Sequence, residues 1–146
     1  MKYVLDTNLY ISAIRDPASG EALDRFVSDN LPFIHLHAVV VQELLAGAID
    51  VQKEQAVQSA LISPFERRAR IITPTYRSWR RAGEIIARLL QRRLLQPGAV
   101  PRSFQNDCLL ATSCRETGAT LVTNNLRDFE LIQNIEPVNV AAPWPS

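Results

Sequence analysis

Five short apolar runs punctuate this chain: Lys2 to Leu5, Phe33 to Leu36, Arg70 to Ile72, Thr120 to Thr123 and Pro137 to Val140. The stretches between them are too long for hairpins and carry helix-like periodicity. Parallel strands cannot be joined by a tight turn and need crossovers of a dozen or more residues, so this alternation predicts a parallel sheet with helical connections. The expected class is α/β, with a central, mainly parallel five-stranded sheet covered on both faces.

The intervening segments supply the helices. Glu21 to Asp29 follows Ser19, which is placed to cap it, and Val39 to Ala48 aligns Val40, Glu43, Leu44 and Gly47 along one stripe. Thr73-Pro74 opens a helix predicted to run through Leu95, since proline is tolerated in a first turn. Pro97, Gly98 and Pro101 make a loop. Phe104 to Thr117 is the next helix, with Gly118 where a left-handed C-terminal cap is wanted. A chain of 146 residues with 47% hydrophobic content suffices to bury about two thirds of its unfolded surface. One domain over 1–146 is therefore expected.

Charge is distributed unevenly. From Glu66 to Arg102 there are ten arginines and two acids, a local balance of +8, so the other residues carry 6 basic and 13 acidic groups, or −7. Cys108 and Cys114 lie six residues apart on one predicted helix, too far along it for a disulfide, and are expected to be reduced core thiols. Asp6 interrupts the first apolar stretch, no secretory signal is readable, and no apolar run approaches the roughly 20 residues of a membrane span. The expected location is cytoplasmic, without membrane contact.

In an open parallel sheet, ligands bind beyond the carboxyl ends of the strands, near the point where strand order reverses. Two predicted strands end in polar clusters: Asp6-Thr7-Asn8 and Thr123-Asn124-Asn125-Leu126-Arg127-Asp128. Asp6 alone is equally well read as a turn residue or helix cap. Glu43 interrupts the apolar Val39 to Ala46 helix, where the competing reading is an exposed polar face. Asp107 stands before Cys108-Leu-Leu-Ala, where the helix dipole alone would favour an acid. If Asp6, Glu43, Asp107 and Asp128 converge, mutual repulsion raises their pKa values unless a cation intervenes. An all-oxygen site suits Mg²⁺, with Mn²⁺ as a substitute; His35 and His37 are too few for zinc and read as strand-end or surface residues.

Val4-Leu-Asp-Thr-Asn8, Glu43-Leu-Leu-Ala-Gly47, Asn106-Asp-Cys-Leu-Leu-Ala111 and Gly118-Ala-Thr-Leu-Val-Thr-Asn-Asn-Leu-Arg-Asp-Phe129 resemble, in order and spacing, the PIN-domain ribonucleases. Within these the pattern is most similar to VapC-like toxins of prokaryotic toxin–antitoxin pairs. The resemblance covers almost the whole chain. It implies a three-layer α/β/α fold and places the family's acidic quartet on Asp6, Glu43, Asp107 and Asp128, with Asn125 or Asn124 sharing or relaying contact at the last, variable position. It also implies a hydroxyl from Thr123 in the same pocket and support of the first aspartate by Asn8. One or two Mg²⁺ ions held by the quartet would activate a water for attack on an RNA phosphodiester, while one carboxylate helps to remove its proton.

Arg80, Arg81, Arg88 and Arg92 lie on one predicted helix, interleaved with Trp79, Ile85, Ile86 and Leu89, and are expected to follow an RNA backbone past the acidic site. A solvated face is the competing reading. The resemblance implies a homodimer and a groove for a cognate antitoxin as well. Two other classes compete with a metal-dependent endoribonuclease. A receiver-like phosphotransfer domain would need a partnering lysine, and neither Lys2 nor Lys53 is well placed. A catalytically inactive PIN-like RNA-binding or scaffold protein would not require intact acids.

Overall fold

The computed structural model describes residues 1–145. Five parallel strands, β1 (Tyr3–Leu5), β2 (Ile34–His37), β3 (Ile71–Ile72), β4 (Thr120–Val122) and β5 (Asn139–Ala141), form one sheet in the order β3-β2-β1-β4-β5. The chain begins at the centre, steps outward to β2 and β3, then crosses back to the other side of β1 for β4 and β5. Strand order therefore reverses between β1 and β4.

Between the strands run α1 (Thr7–Arg15), α2 (Pro17–Asp29), α3 (Ala38–Ala46), α4 (Val51–Val57), α5 (Ser63–Arg67), α6 (Tyr76–Gln91), α7 (Arg102–Thr117) and α8 (Leu126–Ile132). Crossovers between parallel strands are right-handed, so connections travelling in opposite directions along a sheet lie on opposite faces. This puts α1 to α5 on one face and α6 to α8 on the other, giving three layers. The core is mainly apolar: Val4, Ile34, Leu36 and Leu121 of the sheet are fully buried, as are Ile85 and Leu89 of α6 and Cys108, Leu110 and Cys114 of α7. Both cysteines are free thiols, pushed up to about 12 mainly by burial.

Several expected boundaries move. The second helix starts at Pro17, and its cap is Asp16, which accepts the Ser19 amide N–H (3.1 Å) and hydroxyl (2.8 Å), so Ser19 donates rather than caps. α3 ends at Ala46, and α6 opens at Tyr76 because the Thr75 hydroxyl accepts the Ser78 N–H (3.2 Å). At its other end α6 stops at Gln91 rather than reaching Leu95. Arg93 turns left-handed (φ 60°), and the N–H groups of Arg93 and Leu94 close back on the carbonyls of Leu90 (3.0 Å) and Leu89 (2.8 Å). Gly118 (φ 73°) ends α7 in the same manner, as expected. No helix among the described residues is long and apolar enough to cross a membrane.

Candidate active site

Four elements meet above the point of strand reversal. Asp6 directly follows β1, and its backbone N–H donates to the Val122 carbonyl (2.9 Å), which ties the end of β1 to the end of β4. Its carboxylate is 4% exposed and accepts two bonds, from the Thr7 N–H (2.8 Å) and from the Thr123 hydroxyl (2.7 Å). Asp6 is thus a helix cap and a member of the cluster at once. From there the network runs both ways. On one side the Thr7 hydroxyl donates to Glu43 Oε1 on α3 (2.7 Å). On the other, Thr123 Oγ1 accepts the Asn125 N–H (2.9 Å), and the Asn125 side-chain amide donates to Asp107 Oδ2 and to Asp128 Oδ2, both at 3.1 Å.

All four acids line one cleft of about 570 Å³, together with Thr7, Asn8, Gln42, Arg102, Ser103, Asn106 and Asn125. Its electrostatics are strained. Burial pushes the Asp107 carboxyl up to about 9, with further upward pressure from Asp6, Asp128 and Glu43. Burial also raises Asp6, against the lowering effect of the Thr123 and Thr7 hydrogen bonds. Asp107 therefore holds a proton at neutral pH when only these neighbours surround it. The helix dipole does not account for an acid here, because α7 begins at Arg102 and Asp107 sits in its second turn, beyond the reach of the terminal field.

The donor set is wholly oxygen, which fits a hard divalent cation. Among the described residues no three acids, histidines or cysteines are gathered into a finished metal cage. Instead the Asn125 amide lies between two carboxylates and supplies with its N–H groups part of the positive potential that a cation would supply.

The remaining expected residues are placed differently. Asn8 is exposed at the cleft and makes no hydrogen bond to Asp6; Thr7 gives that support, because the first N–H of the helix is the one nearest the capping carboxylate. Asn124 is exposed and does not line the cleft. His37 ends β2 fully buried, with Nδ1 accepting the Val39 N–H (3.0 Å) and Nε2 without a partner; burial lowers it to about 4.

Nor do Arg80, Arg81, Arg88 and Arg92 form one free face; the last lies just beyond the end of α6. Arg81 pairs with Glu136, which is 3% exposed and also pairs with Arg115 of α7. Arg80 and Arg88 flank Glu84 at 3.4 and 3.7 Å. Because Thr75, which caps α6, and Ser78 in its first turn bond Glu116 near the end of α7, the two helices run antiparallel, and Arg80 and Arg81 lie at the end of α7 remote from Asp107. Arg92 remains exposed. The residues that the sequence reading passes over are Thr7 and Arg102. A threonine directly after a strand-end aspartate was the available signal for the first.

The PIN domain family model matches residues 3–134. The chain is similar to ribonuclease VapC2 of Rickettsia felis, 32% identical over 137 residues that cover 92% of this chain and 95% of that protein. It is also 32% identical over 133 residues to ribonuclease VapC2 of Haemophilus influenzae, covering 90% and 92%. Among solved structures, VapBC2 of Rickettsia felis bound to a promoter DNA fragment matches with a TM-score of 0.67 at 28% identity, over 99% of this chain and 100% of the other. DNA-bound VapBC of Salmonella typhimurium gives a TM-score of 0.74 at 23% identity, over 97% and 98%, a likeness of fold.

Proposed function

The chain belongs to the PIN-domain family, as a VapC-like member, and on that premise we propose that it is a Mg²⁺-dependent endoribonuclease acting as the toxin of a toxin–antitoxin pair. The observation that carries the reading is Asp107, a buried carboxyl whose neighbours are three further carboxylates and an amide, an arrangement that folding alone does not favour. Asp6, Glu43, Asp107 and Asp128 would hold the cation. When bound, the ion would lower the pKa of a water and offset charge gathering on the phosphate.

The chain's own groups have separable tasks. Thr123 and the Thr7 N–H fix Asp6, while the Thr7 hydroxyl fixes Glu43, so two carboxylates are oriented before any ligand arrives. Asp107 must give up its proton to serve as a ligand. Asn125 donates to both Asp107 and Asp128 at a common distance and holds the two carboxyl groups beside each other.

The ribonuclease names of the relatives support RNA as substrate, and the VapBC complexes support an antitoxin partner. A groove of about 450 Å³ lined by Ile11, Ile14, Leu44, Ala56, Val57 and Leu61 opens beside Glu43 and suits an apolar antitoxin segment. Purified chain should cleave RNA with Mg²⁺ or Mn²⁺ and stop when EDTA is added. Full turnover after rigorous metal removal, with contaminating nucleases excluded, would refute the reading; absence of turnover with either metal would favour an inactive RNA-binding or scaffold protein.

A further inference from the structure

The acid cleft poses a difficulty that its carboxylates and a cation do not resolve between them. A phosphodiester is an anion, and four ionised carboxylates around one divalent ion still leave two negative charges, so the substrate phosphate is repelled by the groups that are to act on it. One cationic side chain lines that cleft, Arg102. It is the first residue of α7, five positions before Asp107. At 1.5 Å of rise per residue their backbones are about 7.5 Å apart along the axis, within the span that a guanidinium, a phosphate and a metal-bearing carboxylate together occupy.

Its place in the cleft separates Arg102 from the other unpaired arginines, and two further observations leave it free for an anion. It is exposed and makes no ion pair among the described residues, unlike Arg80, Arg81 and Arg88. It also stands in the first turn of a sixteen-residue helix, at the positive end of the dipole, where a cation is disfavoured. Helix stability therefore gives no reason for an arginine here, whereas an anion in the cleft does.

We infer that Arg102 is the phosphate-positioning residue of this chain: its guanidinium takes the non-bridging oxygens of the RNA phosphate and holds it against the repulsion of the acids. The planar fork can donate two parallel bonds to those oxygens, which fixes orientation as well as charge. This rests on the ribonuclease reading and adds to it a residue outside the acidic quartet.

The test compares wild type with Arg102→Gln and Arg102→Lys, using a short single-stranded RNA, with anisotropy measured across salt in Ca²⁺ and cleavage kinetics in Mg²⁺. Arg102→Gln should weaken RNA binding roughly tenfold and flatten the slope of log K against log salt by about 0.7, the loss of one phosphate contact on a single strand. KM should rise more than kcat falls. Arg102→Lys should restore the slope but only part of the affinity. The Mn²⁺-induced rise in melting temperature should stay the same or grow in both variants, which shows the acid site intact. If wild type binds and cleaves RNA while Arg102→Gln keeps its affinity and salt slope, the assignment of Arg102 is overturned and the ribonuclease reading stands. If wild type neither binds nor cleaves RNA, both fall.

Discussion

Helix α7 carries a buried charge problem at each end, and the two are handled in opposite ways. Toward its C-terminal end, Glu136 is almost fully enclosed and meets two guanidinium groups, Arg81 and Arg115. Near its beginning, Asp107 is almost as enclosed and meets other carboxylates and one amide. The first cluster is complete as folded. The second gathers like charges with one amide between them. A buried acid with a matched partner reports on architecture; a buried acid among its own kind reports on a ligand.

Exchanging the charged oxygen for an amide at each end gives the largest expected separation. Asp107→Asn should lower kcat/KM for RNA at least about a hundredfold, the upper range for disturbing a metal site, and reduce the Mn²⁺ shift in melting temperature. In the absence of metal it should be no less stable than wild type. The sign follows from linkage: the folded carboxyl is raised to about 9 from 3.8, so the folded state binds the extra proton and its stability falls as pH rises through that window. An amide escapes the penalty. Glu136→Gln should do the reverse, keeping cleavage within a few-fold while losing about 2 kcal/mol. That is below the 3–5 kcal/mol of fully buried pairs because Arg81 and Arg115 are 34% and 50% exposed. Denaturant melts beside cleavage assays read both; an Asp107→Asn protein with full turnover would dissolve the contrast.

The proton on Asp107 sharpens the comparison further. Mn²⁺ affinity of the wild type should rise about tenfold per pH unit from 7 toward 9, because each binding event must release that proton. Calorimetric titrations in buffers of different ionisation enthalpy would count the proton released. A pH-independent affinity would mean that Asp107 is already ionised or does not bind the ion.

Smaller effects should follow at Thr123, whose hydroxyl serves both Asp6 and the Asn125 N–H. Thr123→Val keeps the volume and removes both bonds, which should cost roughly 1–3 kcal/mol of stability and lower turnover more than it lowers Mn²⁺ binding. The smallest expected effect lies on α6. Arg80→Gln with Arg88→Gln should leave RNA affinity nearly unchanged, since both side chains already flank Glu84. A flattened salt slope in that double variant would return the helix to the RNA path.

Sequence legibility divides along the same line. The strands can be read because each is an apolar run that ends abruptly; Asp6 and Glu43 break apolar contexts, Asp107 stands at the edge of one, and Asp128 belongs to the polar cluster that follows β4. The start of α6 cannot be read locally. Thr73 and Thr75 are both adequate caps in the sequence, and what favours Thr75 is Glu116, whose Oε2 accepts its hydroxyl (2.8 Å) and that of Ser78 (2.6 Å) from about 40 residues away. The same holds for Arg81, which looks like a free cation until the chain brings back Glu136, 55 positions later. Helices α4 and α5 escape notice because they offer little apolar face: Val51 to Ala56 is exposed throughout, and only Val57 of α4 is buried. Asp6, by contrast, is read two ways from sequence, and the structure gives it both roles.

The hydrogen bond from Thr123 to Asp6 spans 117 residues. A growing chain therefore carries Asp6 long before it carries β4, the strand that completes the sheet beside it. β1 can pair with β2 early, yet the rim that holds the acids waits for β4, and closing so long a loop is entropically slow. The orientation of Asp6 is therefore a property of the closed sheet and not of the segment that carries it.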